Sequence, residues 1–145
     1  MKRLVTAFCL AFVGAPVAAA PLCDEFGFAG LLAKCNRGEV IELTLGSGVP
    51  LGEDRTLESG AYYEMEITAD GSAELGLSGP DFFRAIWMDE IVINSIEIRP
   101  MAVDSIEFDK AGTVELSFIA IKPGRHVLRI PGSTGESQMV TFTIQ

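Results

Sequence analysis

Residues Thr113 to Gln145 read TVELSFIAIKPGRHVLRIPGSTGESQMVTFTIQ, and the period of that stretch decides the fold. From Val114 to Ile121 the apolar Val114, Leu116 and Phe118 alternate with Glu115 and Ser117, which is the two-residue repeat of a strand with one face in a core. Lys122-Pro123-Gly124-Arg125 combines a fixed φ with a permissive glycine, so it predicts a hairpin in which His126 to Ile130 pairs back on Val114 to Ile121. After the glycine-containing loop Pro131 to Gln138, Val140, Phe142 and Ile144 alternate with Thr141 and Thr143. Three strands and two turns follow.

Working outward, the same period recurs. Tyr63, Met65 and Ile67 alternate with Glu64 and Glu66, and Ala69-Asp70-Gly71-Ser72 predicts a hairpin turn to Ala73–Ser78. Gly79-Pro80-Asp81 reads as a helix start with Asp81 as cap, and Phe82, Phe83, Ile86 and Trp87 supply an apolar side for a short helix near 81–88. The run Ile91 to Ile98 is nearly continuous in apolar residues and predicts a central strand buried on both faces. Val103 to Lys110 and Val40 to Leu45 complete the set. About eight short strands with frequent turn signals predict an all-β, antiparallel two-sheet Greek-key sandwich.

Several of these segments carry a resemblance. Pro123-Gly124 before a strand, Pro131-Gly132 after it and Met139 opening the last strand, together with GPDFF at 79–83 and IEFDKAGTVELSF at 106–118, resemble the cupredoxins. The resemblance implies a cupredoxin-like sandwich over 39–145 with its metal end at the loop between the last two strands. It also shows what is missing. The cysteine position of the family holds Ile130 or Leu128, depending on the register, and the histidine position holds Ser133. A blue-copper site needs two imidazoles and a thiolate, whereas this chain has one histidine. The resemblance therefore implies the scaffold without a type 1 copper centre.

The opposite end of the chain indicates where the protein works. Lys2 and Arg3, an apolar run from Leu4 to Val13 and small residues to Ala20 have the order of a secretory signal peptide, with cleavage expected after Ala19. The residues before Cys9 and Cys23 do not form a lipobox, and the apolar run is too short for a membrane span. A periplasmic or secreted protein is expected. Loss of Lys2 and Arg3 takes eleven basic residues to nine against twenty acidic ones, a net charge of −11. So acidic a surface excludes nucleic acid and anionic membranes as partners. In an oxidising compartment Cys23 and Cys35 are expected to form a disulfide around Phe26, Phe28, Leu31 and Leu32, stapling an extension over 20–38 with Asp24 opening a short helix. A metal-binding thiol pair is the alternative.

Candidate chemistry is sparse. His126 is either a strand residue partly buried where the family commonly has an aromatic, or a metal ligand. Met139, His126 and Met101 are the candidate ligands of a rebuilt site, because thioethers with one imidazole suit Cu(I). Met65 falls on the predicted inner face, where methionine fills gaps, and Met88 is a further thioether. The acidic pairs Glu53-Asp54 and Asp89-Glu90 read as solvated turns, and PGSTGES around Ser133 is not a nucleophile elbow. No enzyme activity and no resident cofactor are expected. Two functions fit: a binding or accessory module whose partner in the cell envelope is a protein or a metal, and a periplasmic copper- or iron-handling protein with the Met/His site.

Overall fold

Val114, Leu116 and Phe118 do point inward, and so do Tyr63, Met65 and Ile67 from the neighbouring strand, all of them buried. The structure, a computed structural model, describes residues 22–145, and the expected signal peptide over 1–19 and its cleavage point lie outside the described residues. Among the described residues ten strands, two more than expected, form two sheets of five. One sheet runs β1 (Ile41–Leu45), β3 (Tyr62–Ala69), β8 (Gly112–Ala120), β5 (Ile86–Ile93), β6 (Ile96–Ile98). The other runs β2 (Arg55–Leu57), β10 (Met139–Ile144), β9 (Gly124–Arg129), β4 (Leu75–Ser78), β7 (Ser105–Phe108). The sheets are mixed, because β1 lies parallel to β3 and β2 parallel to β10. No described helix is long and apolar enough to cross a membrane.

Both expected hairpins are instead crossovers between the sheets. β3 and β4 belong to different sheets, as do β8 and β9. Strands that each bury one apolar face satisfy it by packing face to face, and local backbone bonds decide against edge pairing here. Ile121 N–H and Lys122 N–H both donate to Ala85 O at 2.9 Å, and Pro123 has no N–H, so nothing is left at this corner to start a ladder with β9. At the other corner Asp70 N–H donates to Leu45 O at 3.0 Å and Ser72 N–H to Asp70 Oδ1 at 2.8 Å. β9 pairs with β10, His126 standing opposite Phe142.

The predicted central strand is a hairpin. Asn94 and Ser95 adopt φ of 50° and 63°, two consecutive left-handed residues that reverse the chain between β5 and β6. The expected helix near 81–88 is one turn, α1 (Pro80–Phe83), since Ile86 and Trp87 are drawn into β5 opposite Ala120 and Ile119. Its cap is Gly79 rather than Asp81, with Pro80 in the first turn and Phe83 N–H donating to Gly79 O at 2.9 Å. A Cβ at Gly79 would stand 2.6 Å from Val127 O, so only glycine lets the turn close on β9. That closure carries Phe82 into the centre, 5.6 Å from the Phe118 ring and 4.7 Å from that of Phe142.

The stapled segment is built differently from the expectation. Cys23 and Cys35 are joined, with Cα atoms 5.5 Å apart. Helical turns begin at Gly27 rather than Asp24 and occupy Gly27–Leu32 and Lys34–Asn36. Phe28, Leu31 and Leu32 are exposed, so the loop encloses no apolar centre of its own. Asn36 fixes it instead. This fully buried amide donates to Leu31 O and Gly60 O, both at 2.8 Å, and accepts from Leu22 N–H at 3.0 Å.

Two predictions come from these contacts. Replacing Cys23 and Cys35 by serine leaves the β circular dichroism intact, because the first strand begins at Ile41, and lowers stability by about 3 kcal/mol through the freed unfolded chain; loss of the β signal would show that the staple nucleates the sandwich. Burial raises both tyrosine hydroxyls above the ordinary value of 10.0, Tyr62 O–H donating a hydrogen bond to Asp89 at 3.2 Å and Tyr63 accepting from Glu58 N–H at 2.8 Å. A raised folded-state value means that the contribution is complete below pH 10 and declines as pH climbs through the folded value. Tyrosinate absorbance in the native protein is therefore expected to lag that of the urea-unfolded chain on alkaline titration.

Candidate functional site

The loop Pro131 to Gln138 joins β9 to β10 and closes one end of the sandwich. It is tied tightly to its own base. Ile130 N–H donates to Gln138 O at 3.0 Å, while Ser133 donates to Ile130 O through both its N–H, at 3.2 Å, and its Oγ, at 2.6 Å. Leu51 N–H reaches Ser137 O and Gln138 Nε2 reaches Val49 O, each at 2.8 Å, so a second loop braces the first. A depression of about 320 Å³ against this loop is lined by Arg129, Ser133, Thr134, Gly135, Glu136 and Met139. Ile130 and Leu128, the two positions in register with a thiolate ligand, are buried in the core.

Three candidate ligands were expected to converge, and the structure does not bring them together. Met139 stands opposite Arg129, whose Nη2 donates to its sulfur at 3.3 Å. His126 is three register pairs away, about 10 Å along the strand. It is also on the other face: opposite Phe142 it points inward, whereas Met139 shares the outward phase of Thr141 and Thr143. The imidazole is buried, with Nε2 3.0 Å from Lys122 O. Met101 is fully exposed in the connection between β6 and β7, where it lines a separate depression of about 460 Å³ with Trp87 and Met88, a depression to which neither His126 nor Met139 contributes. Met65 is wholly enclosed in the core.

Other polar groups take unexpected places. Asp89 and Glu90 form no turn; they sit on β5 at a bulge between Met88 and Glu90. Arg99 pairs there with Glu90, with Glu97 at 3.2 Å and with Asp89 at 3.7 Å. Asp54 accepts from Thr141 N–H at 2.7 Å and fixes the approach to β2. Glu74, Glu107 and Asp109 gather on the exposed edge formed by β4 and β7, where the hydrogen bond that a protonated Glu74 donates to the Glu107 carboxylate and the Asp109 charge push Glu74 up. Between the edge strands β1 and β2 a cleft of about 380 Å³ is lined by Leu22, Arg37, Ile41, Arg55, Leu57 and Tyr63. Nothing in the sequence pattern pointed to that cleft, since its walls meet only when both edges are assembled.

The sequence matches no family model and no curated protein. Solved structures do match the fold. A blue copper oxidase from Nitrosomonas europaea superposes with a TM-score of 0.55 over 72% of this chain and 43% of its own length, at 9% identity. A mutant laccase from B. aclada gives 0.51 over 74% of this chain and 28% of its own, at 11% identity. Both are assembled from cupredoxin-like domains. This chain has a cupredoxin-like fold. It spans less than half the length of either protein, and at these identities the likeness concerns the architecture of the cupredoxin-like sandwich alone.

Proposed function

We propose that this chain is an exported cupredoxin-like binding or accessory module that holds no type 1 copper centre and does not carry electrons. The observation that carries the reading is the ligand inventory. The chain has a single histidine, and its Nε2 is engaged with Lys122 O. The two described cysteines are consumed in a disulfide with each other. A trigonal copper–thiolate site cannot be assembled from one imidazole and no thiolate. The order of residues in the first twenty positions and the disulfide support export. His126, the one imidazole of the chain, faces the Lys122 carbonyl and no nucleophile among the described residues, so the scaffold is read as acting by contact rather than by catalysis.

This reading predicts that the purified mature protein, offered Cu(II), shows no intense visible charge-transfer band of a copper–thiolate bond. A blue protein would overturn it.

A second reading, a protein that handles Cu(I), is favoured by one observation: Met88 and Met101 line the same depression beside Trp87. Thioethers select the soft monovalent ion, and an indole face adds cation–π attraction. Competition of Cu(I) against a chelator should then weaken on Met101→Leu and stay unchanged on Met139→Leu, whose sulfur already faces the Arg129 guanidinium. Equal behaviour of the two variants would remove this second reading.

A further inference from the structure

The β5–β6 hairpin projects past the core and leaves apolar surface in solvent: Ile93 is 37% exposed, Ile98 43% and Ile96 64%. Among the described residues β6 pairs only with β5, which leaves its other edge open to them. The register says which groups line that edge. With a two-residue turn at Asn94-Ser95, Ile93 and Ile96 form a hydrogen-bonded pair, Val92 and Glu97 a non-bonded one, and Ile91 and Ile98 a bonded one. The N–H and C=O of Glu97 and Arg99 therefore point away from β5, and no turn or loop among the described residues uses them.

From this edge we infer that the chain forms a two-fold dimer in which β6 pairs antiparallel with β6 of a second copy, centred on Ile98. Only this register is self-complementary. Centred on Ile98, each Glu97 faces Arg99 of the partner copy in a hydrogen-bonded pair, giving four backbone bonds and two opposite-charge pairs on the outer face. Centred on Glu97, two carboxylates would meet. The two Ile98 side chains then meet on the inner face, since Ile98 shares the phase of Ile91 and Leu116. Pro100, which has no N–H, falls in the phase turned towards β5, so its missing donor takes no bond from the joint. Edge strands are commonly guarded by lysines or by inward charge. This edge carries one charge of each sign outward and isoleucine inward, a pattern that attracts its own copy. The isologous form closes after two chains and extends no fibre.

The test uses the mature, disulfide-intact protein. Sedimentation equilibrium is expected to show a concentration-dependent dimer. Glu97→Arg should raise its dissociation constant about ten-fold, and the double variant Glu97→Arg with Arg99→Glu should recover most of that loss. Because Arg99 also bridges Asp89 and Glu90, a second arm leaves the charges alone. Under mild oxidation Ile98→Cys should link two chains, its Cα lying about 4.5 Å from its partner across a non-bonded pair. Ile96→Cys should not, being about 13 Å from its own copy in this register. The proposal is overturned if the native chain stays monomeric at every concentration, if its dimer is indifferent to Glu97→Arg, or if the two cysteine variants link equally fast.

Discussion

Phe82 touches Phe118 in one sheet and Phe142 in the other, and this aromatic wedge is what the remaining structure is arranged around. A sandwich holds its sheets about 10 Å apart only if large side chains fill the gap from both sides, and a ring delivered from a helical turn fills it without belonging to either sheet. The delivery depends on Gly79, where the chain passes against Val127 and Leu128 too closely for a side chain. The same turn places Ala85 so that its carbonyl takes both N–H groups of the corner after β8. One tight approach thus sets the sheet spacing and sends the chain from the first sheet to the second.

The period of the sequence was a reliable guide to faces and a poor one to partners. Alternation sorted Tyr63, Met65, Ile67, Val114, Leu116 and Phe118 to the core, because a pleated strand offers no other arrangement. It could not say whether two alternating runs joined by a short turn pair along their edges or stack face to face, since both bury the same residues. That choice was made by Ala85, Leu45 and Pro123, none of which alters the alternation. The run Ile91 to Ile98 misled for a related reason. Asn94 and Ser95 are ordinary polar interruptions in a sequence, and only their left-handed φ values make them a reversal.

The candidate site shows the same division. His126 shares the phase of Leu128 and Ile130 and Met139 that of Thr141 and Thr143, so pairing β9 with β10 sends to opposite faces two residues that the sequence reading groups in one site. What was not legible was the register of β9 against β10, which sets their spacing, or the folding of Met101 towards Trp87 and Met88. Ligands that must converge across non-adjacent strands depend on crossovers, and crossovers were the part that alternation left open.

Asn36 has a further consequence. Of the three hydrogen bonds of this enclosed amide two hold the stapled segment to itself and one, to Gly60 O, ties it to the sandwich; Gly38 N–H on Tyr62 O and the Arg37 guanidinium over the Tyr62 ring add to that tie, while Phe28, Leu31 and Leu32 stay exposed. Lifting such a segment away uncovers little hydrocarbon, so the heat-capacity change of its detachment is small. Its free energy of attachment then varies almost linearly with temperature, whereas the sandwich, closed by apolar burial, follows a dome. The two parts of one small domain thus respond to heating and cooling by different laws.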